Sequence, residues 1–248
     1  ENSGSATEGA AKGLAEQLGA KYHSVDVQPM IDSFLGLGKD CIGRELEWEK
    51  DDLPMQNIQA RTRAPLAWLL ANINNFLLLT TSNRSEASVG YATMDGDTAG
   101  GLAPLGGIDK PFLRDWLKWA EKDCALGLGS ISSLNAVNEM EPTAELRPKG
   151  NNQTDEADLM PYEILERIER YLVRDRMGIE DILDSIKVDY PERKEDELKV
   201  YLNRFMDLWR KTQWKRERLA PSFHLDDESV DPKTWCRYPI LSGTVILK

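Results

Sequence analysis

The 248 residues predict an α/β fold, a parallel sheet with flanking helices and a helical C-terminal part. Three observations carry that reading. The run Phe76-Leu-Leu-Leu-Thr-Thr81 is continuously apolar and ends in small polar residues, the pattern of a strand buried on both faces. A helix–strand–loop order is read twice before residue 110. After residue 160, three amphipathic stripes keep helical spacing: Ile164, Leu165, Ile168, Leu172; then Ile179, Ile182, Leu183, Ile186; then Leu198, Leu202, Phe205, Trp209.

The elements follow in order. Thr7 can cap an opening helix in which Leu14 and Leu18 share a face, and Gly19 can supply its left-handed end. Val25 and Val27, two apart, suggest a short strand over 21–27. From Met30 to Asp52 the Gly-rich Leu35-Gly-Leu-Gly38 suggests a long loop with at most a helical turn. A helix is predicted from about Asn57 to Asn72, bent by Pro65. The apolar strand comes next, then a long polar loop from Gly90 to Gly107, of a length that suits function. Asp109 can cap a helix with Pro111 in its first turn, and Trp116, Leu117 and Ala120 form its expected buried face. Gly127 to Asp158 reads as loop, with 147–153 its mobile part. Past Pro221 the tail is extended, since Pro232 and Pro239 oppose long helices.

Composition narrows the function. Lys+Arg 31 against Asp+Glu 42 leaves a formal charge of −11, which opposes general binding to nucleic acid. No apolar run approaches the ~20 residues that span a bilayer. The start is neither a signal nor a transit peptide, and Cys41, Cys124 and Cys236 are odd in number and scattered, so a reducing, cytoplasmic setting is expected. Only His23 and His224 occur, and no HExxH, GxSxG, GxxxxGK[ST] or strand-linked GxGxxG is present. Leu126-Gly-Leu-Gly-Ser130 reads as loop.

The informative stretch is Thr80-Thr-Ser-Asn-Arg-Ser-Glu86, at the carboxyl end of the apolar strand, where open α/β sheets bind ligands. Its amides, hydroxyls and Arg84 can receive phosphate groups, and Glu86 offers a hard oxygen for Mg2+. Equally, Ser82 or Asn83 can cap a helix with Glu86 answering as the acid of a capping box. Arg61 and Arg63, two apart on one helix, point different ways. The cations from Arg210 to Arg218 read either as a solvated helix end or as a phosphate clamp with Trp214 as a stacking surface.

The segment 80–97, followed by Ala103-Pro-Leu-Gly-Gly-Ile-Asp-Lys110, closely resembles the NAD synthetases. Gln56-Asn-Ile-Gln-Ala-Arg-Thr-Arg63, Pro142-Thr-Ala-Glu-Leu-Arg-Pro148 and Thr212-Gln-Trp-Lys-Arg216 match in the right order. Ala220-Pro-Ser-Phe-His224 and 231–242 resemble the glutamine-dependent branch. The resemblance implies an adenine-nucleotide alpha-hydrolase-like (ATP pyrophosphatase) fold in a homodimer. It implies ATP- and Mg2+-dependent adenylation of the nicotinate carboxylate of deamido-NAD, then amidation by ammonia from glutamine to give NAD, AMP and pyrophosphate. Carried over by motif, Thr81, Lys110 and Thr143 contact ATP. Asn57, Arg61, Glu86, Trp214 and Lys215 hold deamido-NAD, and Glu86 also binds the metal. Asp97 lies in a matched element without an assigned role.

Three departures qualify the match. Met94 stands where many members carry Lys, and Gly101 where ammonia-dependent members often carry Asp. The pyrophosphate-binding SGGxDS loop is not found, so the chain is expected to be a synthetase domain truncated on its N-terminal side (1–219) with a tail (220–248), its glutaminase domain lying upstream, and inactive alone. The alternatives are another ATP-pyrophosphatase ligase, a non-catalytic dimerisation or regulatory module, and, resting on 210–218 alone, a nucleic-acid binder.

Overall fold

The computed structural model describes residues 4–123, 127, 129–148, 153–235 and 237–239. The chain divides into two compact units, one of Glu1–Ala67 with Phe112–Asp158, the other of Trp68–Pro111 with Leu159–Lys248.

In the first unit, α1 (Ser5–Gln17) packs on α6 (Leu134–Asn138). Ala120, Ile131 and Leu134 form a small core, with Leu14, Leu117 and Val137 against it. Gln17 ties the two segments by donating to the Ser130 carbonyl at 3.1 Å and accepting from the Ser133 amide at 2.9 Å. The cap of α1 falls at Gly4 rather than Thr7, whose hydroxyl donates to Glu145 at 2.7 Å instead.

Two expectations fail in this unit. Residues 21–27 are extended but pair with nothing among the described residues, and Val25 is exposed. Two valines set a period without supplying a partner edge. The expected loop at 30–52 is mostly α2 (Gln28–Ile42), begun by Pro29 and closed by Gly43, whose φ of 73° is the left-handed geometry glycine adopts freely. The spacing of Met30, Ile31, Phe34, Leu35 and Leu37 carried this helix, and Gly36 and Gly38 obscured it. Next, α3 (Trp48–Asn74) is broken at Asp51 (φ −122°, ψ 27°), where Arg44 grips the carboxylate through two bonds of 2.7 and 2.8 Å. Helical geometry continues through Pro65.

Helix α5 (Lys110–Lys122) buries Ala120 but leaves Trp116 exposed, against the expected face. Single turns α7 (Asp155–Asp158) and α6 interrupt the predicted 127–158 loop. The expected mobile stretch is described only at 147, 148 and 153, and Cys124, Cys236, Leu126 and Leu128 lie outside the described residues.

The second unit holds the main core. All three amphipathic stripes form helices: α8 (Tyr162–Glu169) with a π-helical continuation (Arg170–Arg174), α9 (Ile179–Asp189) and α10 (Glu195–Lys211), followed by the short α11 (Gln213–Arg216). Their apolar faces converge on Ile168, Ile182, Ile186, Leu198, Leu202, Phe205 and Trp209, with Ala87 and Val89 of α4 (Arg84–Val89) joining them. The apolar run differs from expectation. Its Leu78 carbonyl accepts from Gly101 at 2.8 Å and its Thr80 amide donates to Leu102 at 2.9 Å, a single parallel bridge, while Phe76 (68%) and Leu77 (63%) stay exposed. The predicted parallel sheet is therefore represented among the described residues by two isolated parallel bridges, Leu79 with Leu102 and Ala103 with Ser222. With Phe76, Leu77 and Leu79 all exposed, burial of the run on both faces is not reached.

Candidate active site

The Thr80–Glu86 turn leads directly into α4, and its geometry follows from local hydrogen bonding. Asn83 takes extended backbone and its Oδ1 accepts from the Glu86 amide at 3.0 Å; Glu86 Oε2 accepts from the Asn83 amide at 3.2 Å. This is the capping box legible in the sequence. The remaining oxygen, Glu86 Oε1, pairs with Lys110 Nζ at 3.0 Å. The capping-box reading of Glu86 is thus met by one oxygen, and the other faces Lys110. Lys110 Nζ also lies 5.6 Å from the centre of the Tyr162 ring.

Segment 107–110 is stitched to the turn. The Arg84 amide donates to Ile108 at 2.8 Å and the Lys110 amide donates to Ser85 Oγ at 3.0 Å. Thr81 is exposed beside the buried Thr80, whose hydroxyl donates to the Asp97 carbonyl at 2.7 Å. Asp97 itself accepts from the Thr93 amide at 2.7 Å, which gives it a structural task. Met94 is buried, its sulfur near Thr98 Oγ1.

Arg84 does not face a ligand. Its guanidinium is fully buried among carboxylates: Nε is 2.7 Å from Glu169, Nη2 is 3.1 Å from Asp109, and Nη1 is 3.2 Å from Asp226, with Glu228 at 3.6 Å. The 2.7 Å Arg84–Glu169 approach is not aligned as a hydrogen bond. Burial pushes the Glu169 carboxyl up, to about 8, although Arg84 opposes this; burial likewise raises Glu228. On Arg84 burial acts to lower the pKa, but the surrounding carboxylates prevail and hold it above its ordinary value. The reading of Arg84 as a phosphate receiver is thus corrected: a buried cation is retained only where carboxylates surround it.

The expected clamp at 210–218 is divided. Lys215 Nζ donates to the Gly90 and Ala92 carbonyls, each at 2.8 Å, and lies 5.8 Å from the Trp214 ring, which is 40% exposed. Lys211 pairs with Asp207 and Arg218 with Asp95, each at 2.7 Å. Arg216 is buried, stacked 3.8 Å from the Trp209 ring centre, and donates to the Ser88 carbonyl, Thr212 Oγ1 and Gln213 Oε1. Burial pulls its pKa down, to about 10.

In the first unit, Asn57 and Arg61 lie one turn apart on α3, half-buried and exposed respectively, and Arg63 is exposed. Thr143 is exposed and its hydroxyl accepts from the Glu145 amide at 3.3 Å. Sequence reading missed Arg147, which grips Asp52 through two bonds of 2.9 Å and reaches Asp158 at 3.2 Å. Its place inside a matched motif was the available signal. Among the described residues no group of three or more acidic, His or Cys side chains is arranged to hold a metal.

The fold recurs among proteins of known structure. An NMN synthetase from Francisella tularensis shares the fold, with TM-score 0.63 at 20% identity over 90% of this chain and 75% of that one. The NAD synthase family model matches residues 2–218, and the chain belongs to that family. A glutamine-dependent NAD(+) synthetase from Cytophaga hutchinsonii is 44% identical, with TM-score 0.84 over 98% of this chain and 38% of that one. A glutamine-dependent NAD(+) synthetase from Xanthomonas campestris is 30% identical over 96% of this chain and 40% of its own length. One from Aquifex aeolicus is 34% identical over 70% of this chain and 28% of its own. The chain thus spans well under half the length of these three glutamine-dependent NAD(+) synthetases.

Proposed function

We propose that the chain is the synthetase portion of a glutamine-dependent NAD synthetase, with residues 1–219 as the synthetase domain and 220–248 as its tail. The observation that carries this is the family match over 2–218 together with the oriented Glu86–Lys110 pair at the strand-end turn. The reaction joins ammonia to the nicotinate carboxylate of deamido-NAD. A carboxylate is a poor electrophile, so ATP first converts it to an acyl-adenylate with release of pyrophosphate, and ammonia then displaces AMP.

Within that reading, Asn57, Arg61, Trp214 and Lys215 bind and orient the dinucleotide. Thr81, Lys110 and Thr143 take the ATP side, where cations offset phosphate charge. Glu86 would hold Mg2+, and a lone half-buried carboxylate suits an ion that takes one or two carboxylates plus substrate phosphates and water. The ion's chemistry is to offset charge on the phosphate oxygens. The parallel nucleotide-hydrolase sheet, a homodimer through the synthetase domain, a cytoplasmic setting, an upstream glutaminase domain and inactivity of the isolated chain complete the proposal. No helix among the described residues is long and apolar enough to cross a membrane.

Calorimetric titration of deamido-NAD into this chain tests it, with Arg61→Ala and Lys215→Ala as controls. Binding weakened in both variants is expected. Equal binding of an unrelated carboxylate acceptor would instead favour another ligase of the same fold.

A further inference from the structure

The segment following α11 does more than cover a surface. Val230 sits in the main core, and Glu228 and Ser229 are buried beside it. Just before them, both Asp226 oxygens approach Arg84 Nη1, at 3.2 and 3.3 Å, and the Glu228 carbonyl lies 3.4 Å from the same nitrogen. The Asp226 carboxylate also accepts from the Glu228 amide at 2.9 Å, which fixes the local turn, and Arg170 pairs with Glu228 at 3.5 Å.

Arg84 in turn joins the two segments that carry the site. Its amide donates to Ile108, its Nη1 donates to the Gly107 carbonyl at 3.1 Å, and its Nη2 pairs with Asp109 at 3.1 Å. Glu86 lies two residues after Arg84, and Lys110 directly follows Asp109. A guanidinium is a rigid planar fork, so an anchor on one side sets the direction of its other donors.

We propose that Asp226 is a positioning residue, which through Arg84 holds the 83–86 and 107–110 segments in register and thereby sets the Glu86–Lys110 pair. The functional half of this inference rests on the synthetase reading above. The tail becomes part of the site's framework, and Asp226 is its most accessible member, with half of its side chain exposed against a fully buried Arg84. That exposure makes Asp226→Asn a substitution the fold tolerates, whereas Arg84 variants leave buried carboxylates uncompensated.

The experiment compares hydrogen exchange, thermal melting and deamido-NAD binding in the wild-type chain, Asp226→Asn and Asp226→Glu. Expected for Asp226→Asn are a melting curve close to wild type, faster exchange of the Arg84 and Lys110 amides with α9 and α10 unchanged, and about fivefold weaker binding, the upper range for a half-exposed ion pair. Asp226→Glu should recover much of both effects. Unchanged exchange at Arg84 and Lys110, or exchange that quickens equally in α9 and α10, overturns the positioning role. Locally faster exchange with unaltered binding overturns its link to the site. A wild-type chain that binds no deamido-NAD counts against the synthetase reading, while the exchange comparison still decides whether Asp226 holds the two segments.

Discussion

Lys110 Nζ lies 3.0 Å from Glu86 Oε1, while Oε2 closes the cap of α4 on the Asn83 amide at 3.2 Å. A carboxylate held this way has its direction set by the helix and its charge partly matched by one lysine. Glu86→Gln keeps an acceptor for the cap and removes the charge. It should therefore change stability by no more than about 1 kcal/mol, as for other partly exposed pairs. Deamido-NAD or Mg2+ binding should fall at least tenfold. Calorimetry alongside denaturant melts separates the two effects.

Stability should depend on pH through the Arg84 cage. The Glu169 carboxyl is raised from 4.5 to about 8 by burial, so its favourable protonated form is present in full below the unfolded value near 4.5. That contribution is lost as pH rises through about 8, because ionisation costs more in the buried site than in the open chain. Glu228 shifts in the same direction. Denaturant midpoints of the wild type should fall between pH 5 and pH 8.5, and Glu169→Gln should flatten that slope. A wild-type midpoint that rises over the same interval would contradict the assignment.

Gly90 closes α4 with φ of +64°, and a Cβ there would come within 2.4 Å of the Thr212 Cβ. Gly90→Ala meets a left-handed backbone and a steric overlap together. It should cost about 2–3 kcal/mol, from left-handed strain plus overpacking. Because Lys215 donates to the Gly90 carbonyl, the same variant should also disturb the Trp214–Lys215 segment, readable as a shift in tryptophan emission.

Arg216→Lys is expected to be costly although it conserves charge. A lysine's three donors cannot serve the Ser88 and Trp209 carbonyls, Thr212 Oγ1 and Gln213 Oε1 at once, nor stack on Trp209 as a flat guanidinium does. Losing about two charge-assisted hydrogen bonds corresponds to roughly 3 kcal/mol. Chemical denaturation would measure it, and a loss below 0.5 kcal/mol would show the network to be idle.

What the sequence determined by itself is the local part of this protein. Ile164 to Leu172, Ile179 to Ile186 and Leu198 to Trp209 carry helical spacing in the residues themselves, and each forms the helix expected. The Asn83–Glu86 capping box was equally legible, because both partners lie three residues apart. The motifs that mark the NAD synthase family are also local strings of residues, and the family model confirms that membership over 2–218. Tertiary structure decided everything that depends on partners distant in the chain. Among the described residues, Val25 and Val27 have strand spacing but no partner edge, and the apolar run at 76–81 makes a single bridge, Leu79 with Leu102. Arg84 read as a receiver of phosphate groups until Asp109, Glu169, Asp226 and Glu228, up to 144 residues away, enclosed it. A periodic pattern records which face of an element is apolar; whether a charge is buried, and by what it is neutralised, depends on packing that no neighbouring residue encodes.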